Sequence, residues 1–214
     1  KDSSKVTQEK ILQEMKAGVD DDVYASSIAF GDAVAEAIWM RAVNDQYKEI
    51  QGMARYSPLD MPGRWKNTPP DYLDAIQPFW SKMQPLVMDS SAQFKPVPPP
   101  VYSTDTSSAF WQEMLEVYEV SKTLTEEQKN IARFWDDNAA AITYKGHMMF
   151  ANKKPSPGGH WMNIASIACK KAEFDWLQSS EAYAMTAVAM YEAFLSCWDE
   201  KYRGSLIRPI TIIN

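Results

Sequence analysis

An all-α fold, a helical bundle crossed by one long proline-rich connection, is what this 214-residue sequence predicts. Three observations lead there. Apolar residues return at helical spacing in several separate stretches, strand-like alternation is absent except at Ile210 to Ile213, and ten of the 13 prolines crowd into residues 57–106. Proline removes a backbone donor and restricts its predecessor, so that region cannot be one helix.

Taken in order, residues 1–25 are polar, with Asp20, Asp21 and Asp22 in a row, and read as a solvated arm. Residues 26–214 are expected to form one helical domain. A long helix is predicted from Ser26 or Ser27 to Arg55, on the recurrence of Ile28, Val34, Ile38, Ala42, Tyr47, Ile50 and Met53. The crossover at 57–106 carries Trp65, Tyr72, Phe79, Trp80, Phe94 and Tyr102, which require burial, so it is read as an ordered wrap with at most a short helix from Asp71 to Ile76. A helix follows from Ser107 to Leu124. Thr125 and Gln128 then have capping-box spacing ahead of Ile131, Phe134 and Trp135. After the breaker Pro155 to Gly159, one helix is predicted from His160 to Lys171 and another from Ser179 or Ser180 to Arg203. Gly204 is expected to stop it through a positive φ, with Pro209 beyond.

Composition narrows the function classes. Hydrophobic residues are 45% and charged residues 23%, ordinary for a globular chain, while Trp 8, Tyr 10, Phe 8 and Met 12 promise broad aromatic and thioether contacts. Twenty-two basic against 28 acidic side chains give −6 with no basic run, which argues against a nucleic-acid partner. The most apolar window, Tyr183 to Cys197, is broken by Glu192 and is too short to span a membrane. Lys1 in first place suggests a removed export signal, hence a periplasmic, surface-anchored or extracellular location. Cys169 and Cys197 are read as buried thiols or one bridge.

The chemistry-bearing stretch is Trp198-Asp199-Glu200-Lys201-Tyr202-Arg203-Gly204-Ser205-Leu206-Ile207-Arg208-Pro209. Lys201 falls in the last helical turn and Arg208 beyond the helix break, so the two cations can converge from different backbone directions. A tetrahedral oxyanion requires such a pair, lysine as a point charge and arginine as a planar fork. The plainer explanation is a set of basic residues at a helix C-terminus, partners of the helix dipole.

Lys201 to Pro209 matches Lys-x6-Arg-Pro, the first motif shared by the type 2 phosphatidic acid phosphatases, the bacterial class A acid phosphatases and the vanadium-dependent haloperoxidases. Pro155-Ser156-Pro157-Gly158-Gly159-His160-Trp161-Met162-Asn163-Ile164-Ala165 is similar to a segment of bacterial haloperoxidase-like proteins, and Trp198 resembles a tryptophan near their oxyanion pocket. The chain therefore resembles the N-terminal, helical part of that superfamily, over residues 130–214 above all. The resemblance implies catalytic, oxyanion-binding Lys201 and Arg208, a halide pocket at Trp198, and vanadate as cofactor, or phosphate as the substrate group. It implies oxidation of halide by hydrogen peroxide, with phosphomonoester hydrolysis as the alternative and an exported non-catalytic binding module as a third reading. No metal cation is expected.

His160 precedes Lys201, whereas the acid/base histidine of the superfamily follows it, so His160 is given a structural role in a loop or helix cap; His147 receives none. Asp136 and Asp137 are read as a solvated helix end. The later Ser-Arg-x5-His motif has no counterpart in these residues. The isolated chain is accordingly expected to be inactive, with the C-terminal remainder of the same gene product or a second chain completing the site, a small-molecule substrate, and room for homodimerisation.

Overall fold

The structure, a computed structural model, describes residues 3–69, 72–138, 142–145, 147–151 and 154–213. It divides into two compact units, residues 1–47 and 48–214.

The first unit holds α1 (Ser3–Lys16) and α2 (Asp21–Val43). The expected polar arm is thus helical. The aspartate run starts α2: the Asp20 carboxylate accepts from the Asp22 amide as N-cap, and Asp21 and Asp22 sit in the first turn, where the helix dipole favours negative charge. Gly18, at φ +79°, supplies the left-handed turn between the helices. Tyr24 donates to the Leu12 carbonyl at 3.2 Å, and Lys16 pairs with Asp21 at 3.1 Å. Neither helix contains a buried residue. The single helix expected to reach Arg55 stops at Val43, because the Asn44 amide bonds back to the Arg41 carbonyl and Gln46 takes φ 72°, outside helical geometry. The short α3 (Tyr47–Gln51) follows.

The second unit is built around α7 (Trp176–Gly204), 29 residues long. Its capping box, Asp175 with Gln178, starts it earlier than the serines at 179 and 180. α6 (Pro157–Lys171), capped by Ser156 with proline in its first turn, packs back against α7 through a turn in which Phe174 donates to the Cys169 carbonyl at 3.0 Å. α4 (Ala109–Thr123) begins at the Ser108 cap, and α5 (Glu126–Trp135) at the expected Thr125–Gln128 capping box. A small antiparallel hairpin, β1 (Ile142–Lys145) with β2 (Met148–Ala151), pairs Thr143 with Phe150. The predicted pattern did not include it, although Ile142, Thr143 and Tyr144 are good strand formers. Ile210 to Ile213, the stretch read as strand-like, is instead part of α8 (Pro209–Ile213), where proline's fixed φ suits a first helical position.

The crossover is ordered and clasps α7. The Glu192 carboxylate, buried within α7, accepts the Leu86 and Met88 amides at 2.6 and 2.8 Å, and Tyr191 donates to the Gln84 carbonyl at 2.8 Å. Trp65, Phe79, Trp80 and Tyr102 are partly buried, while Tyr72 and Phe94 face solvent. Its helical turn is Trp80–Lys82, not the expected segment starting at Asp71: Asp71 lies outside the described residues and 72–76 are not helical. Two core clusters result. Leu195 packs with Ile50 and Met83 against Phe79, Trp80 and Tyr191; Phe110 packs with Met114 and Ile207 against Tyr102, Leu206 and Ile212. Burying Leu195 and Phe110 contributes about 1.5–3 kcal/mol each. Both cysteines are free, Cys169 buried and Cys197 exposed. Among the described residues no helix is long and apolar enough to cross a membrane.

Candidate anion-binding site

The C-terminal end of α7 is fixed by a strap from the crossover. Residues 63–65 pair antiparallel with 205–207: Ile207 donates to the Gly63 carbonyl at 3.0 Å, Trp65 donates to the Ser205 carbonyl at 2.8 Å, and the Arg64 guanidinium bonds the Gly204 carbonyl at 2.7 Å. That carbonyl belongs to the last helical turn, which otherwise leaves acceptors unsatisfied. Gly63 is required here. It has φ +76°, and a Cβ would stand 2.5 Å from the Tyr102 ring. The helix stop is Ser205, at φ 46°, rather than the expected Gly204, which is still helical; Ser205 turns while its amide bonds the Lys201 carbonyl.

Beyond that turn, Arg208 reaches back over α7. Its Nη1 donates to the Thr68 hydroxyl at 3.0 Å, and its guanidinium carbon lies 5.6 Å from the Trp65 ring centroid. Thr68 is itself held, with its carbonyl accepting the Tyr72 amide at 3.0 Å and the Asn67 side chain donating to the Tyr72 and Leu73 carbonyls. The Lys201 ammonium stands 4.6 Å from the Trp198 ring and 5.7 Å from that of Tyr202. Trp198 and Tyr202 both donate to the Ile76 carbonyl, at 3.0 and 2.7 Å.

Lys201 and Arg208, separated by seven residues in sequence, therefore face one cavity of about 620 Å³, whose wall includes Tyr56, Trp65, Thr68, Ile76 and Tyr202. Neither has a carboxylate partner among the described residues. Partial burial, and then the Arg208 charge, pull the Lys201 ammonium below its ordinary 10.5; Cys197 acts weakly the other way. Burial raises the Tyr202 phenol, helped by Tyr56 and opposed by Arg208. The carboxylates of the wall, Asp74 and Glu200, are engaged by Arg55 and Arg203 respectively.

Trp198, the expected halide-pocket residue, is not part of the cavity lining; its N–H is committed to Ile76 and its ring lies beneath Lys201. His160 is in the first turn of α6, with Nδ1 donating to both Asp137 oxygens at 2.9 and 2.8 Å and its ring stacked on Trp135 at 5.3 Å. Its place at a helix start agrees with the expected position. Asp137, however, is not the solvated helix end expected from sequence, since both side chains of the pair are only 11% exposed. Asp136 pairs with Lys154. His147 is an exposed turn residue. Thr68, Trp65 and Tyr56 were not foreseen, and no local pattern marks them: Thr68 and Arg208 are 140 residues apart. No cluster of metal-ligating side chains is present among the described residues.

No family model matches the chain, and no curated protein matches it. A solved structure does. It is described as the crystal structure of the first bacterial vanadium-dependent iodoperoxidase, and it superimposes with a TM-score of 0.80 at 42% sequence identity over 98% of this chain. The fold is haloperoxidase-like. The chain spans about half the length of the solved chain it matches, 49%. The haloperoxidase-like architecture agrees with an all-α bundle.

Proposed function

We propose that this chain supplies the lysine and arginine ligands of a vanadate-dependent haloperoxidase that oxidises halide with hydrogen peroxide. One observation carries the reading: Lys201 and Arg208 share a cavity, repel each other, and have no ion-paired carboxylate among the described residues. Two like charges held at the rim of one cavity suit a multiply charged anion, which would neutralise both. The residues fit an oxyanion. Arg208 would present its fork to two oxygens while Thr68 fixes its plane, and Lys201 would add a point charge kept in place by Trp198. When bound, vanadate supplies the peroxide-activating chemistry; the protein supplies preorganised positive charge in a partly desolvated cavity. The alternative, phosphomonoester hydrolysis, would use the same cradle, because phosphate and vanadate share charge and shape. The similar iodoperoxidase favours the peroxidase.

The rest of the site would come from further polypeptide, either a continuation of the gene product or a second chain. Exposed surface supports this. The chain exposes 16162 Å², whereas two separately compact bodies of these sizes would expose about 12,000 Å². An uncovered excess of that order resembles a domain core cut in half.

Orthovanadate titration followed by vanadium NMR should show saturable binding to the chain, lost in Arg208→Ala. The chain alone should not oxidise iodide with peroxide above background; joined to the completing polypeptide it should, only with vanadate and not as Arg208→Ala. Turnover by the isolated chain would overturn the need for a completing segment. Ester hydrolysis in place of halide oxidation by the complete protein would select the phosphatase.

A further inference from the structure

The cavity of Lys201 and Arg208 carries its own potential inhibitors, the carboxylates of Asp74 and Glu200. Either could act as an internal anion and neutralise the cations. Neither forms an ion pair with Lys201 or Arg208 among the described residues. Asp74 is turned onto Arg55, and Glu200 onto Arg203, whose Nε also bonds Asp199 at 3.0 Å. Arg55 and Arg203 are both outside the cavity lining.

We propose that Arg203, and more weakly Arg55, are positioning residues that mask the carboxylates of the cavity wall and so keep Lys201 and Arg208 available to a tetrahedral dianion or trianion. The proposal rests on the anion-binding reading and deepens it. A second, independent feature supports it. A Cβ at position 204 would lie 3.3 Å from Glu200 Oε1, so the absence of a side chain at Gly204 gives Glu200 room to fold toward Arg203.

The two arginines differ in weight. The Asp199 and Glu200 side chains are 18% and 29% exposed, whereas Arg55 and Asp74 are 78% and 61% exposed. Solvent and salt screen the outer pair far more, so Arg203 dominates. Hydrogen bonding to the carboxylates raises both guanidinium groups above the ordinary arginine value.

The test uses the 214-residue chain, inorganic phosphate as the probe, and two readouts. Calorimetry should show Arg203→Met weakening phosphate about three- to fivefold, the scale of one incompletely screened charge. Arg203→Lys should stay within about twofold of the parent. The decisive variant is Arg203→Met combined with Glu200→Gln, which should restore the affinity although no contact to phosphate has been regained; a purely structural role for Arg203 would not be rescued this way. The second readout is the titration of the Lys201 ammonium, followed by NMR on labelled lysine without phosphate. The ionisable groups with a charge effect on Lys201 are Arg208 and Cys197. Arg203→Met should raise the Lys201 titration by freeing Glu200, and the double variant should return it. Unchanged Lys201 titration in Arg203→Met overturns the masking proposal, as does a phosphate loss that Glu200→Gln cannot repair. If the titration moves as expected but the parent binds no phosphate, masking stands and the anion-binding reading fails.

Discussion

The Asp137–His160 pair and the Lys201–Arg208 pair belong to the same unit and solve opposite problems. In the first, a histidine meets both oxygens of a carboxylate and is covered by Trp135, tying the end of α5 to the start of α6. In the second, two cations are held by neutral groups, a threonine hydroxyl and aromatic faces, and face each other across open space. Glu192 extends the first pattern, since its buried charge is met by two backbone amides. Compensated charge holds segments together, whereas, on the proposed reading, the uncompensated pair would receive an anion. Disturbing the former should therefore impair folding and spare binding, and disturbing the latter should do the reverse.

The largest stability effect is expected at Glu192. Glu192→Ala removes the shared acceptor of the Leu86 and Met88 amides and should lower unfolding free energy by about 3 kcal/mol, measured by urea denaturation. Next comes Arg208→Ala, expected to weaken vanadate or phosphate by about ten- to a hundredfold, as for loss of a charged hydrogen-bonding ligand, with the thermal midpoint nearly unchanged. A large fall in stability with intact binding would break the comparison at its centre. Asp137→Ala should cost about 1–2 kcal/mol of stability, because His160 loses its acceptor in a mostly enclosed position, and phosphate affinity should stay the same.

The smallest effect has the most informative sign. Folding depresses the Lys201 ammonium, so the folded state is penalised while lysine is charged in both states. That penalty is complete at neutral pH and is relieved as pH rises from the folded value toward the ordinary 10.5. Lys201→Met should therefore raise stability at pH 7 by a fraction of a kcal/mol, on the scale of screened charges. Its advantage should fade toward pH 10.5, and unfolding midpoints across pH 7–10 would check this. In the parent chain, saturating phosphate should remove the penalty, so alkaline binding should be accompanied by proton uptake.

Most helices were legible because their signals are local. The Thr125–Gln128 capping box spans four consecutive residues and appears in the structure, whereas α6 begins at Pro157, inside the stretch Pro155 to Gly159 that reads as a breaker in the sequence. Where a boundary depended on a competing local bond it was misjudged: the long helix through Arg55 is interrupted at Asn44, and Ser205 rather than Gly204 takes the left-handed turn. The fate of Asp137 could not be read at all, because its partner is 23 residues away.

The sequence by itself determined the all-α class, the order of α4 to α7, and the placing of Lys201 and Arg208 on either side of a break, since helical period, caps and proline act over a few residues. Only the tertiary structure decided that the two cations would share a cavity with no ion-paired carboxylate among the described residues. That outcome depends on Thr68, Trp65 and the crossover strap, which reach the end of α7 from more than a hundred residues away. Electrostatic compensation is a matter of distance in space, and the chain's local order does not encode it.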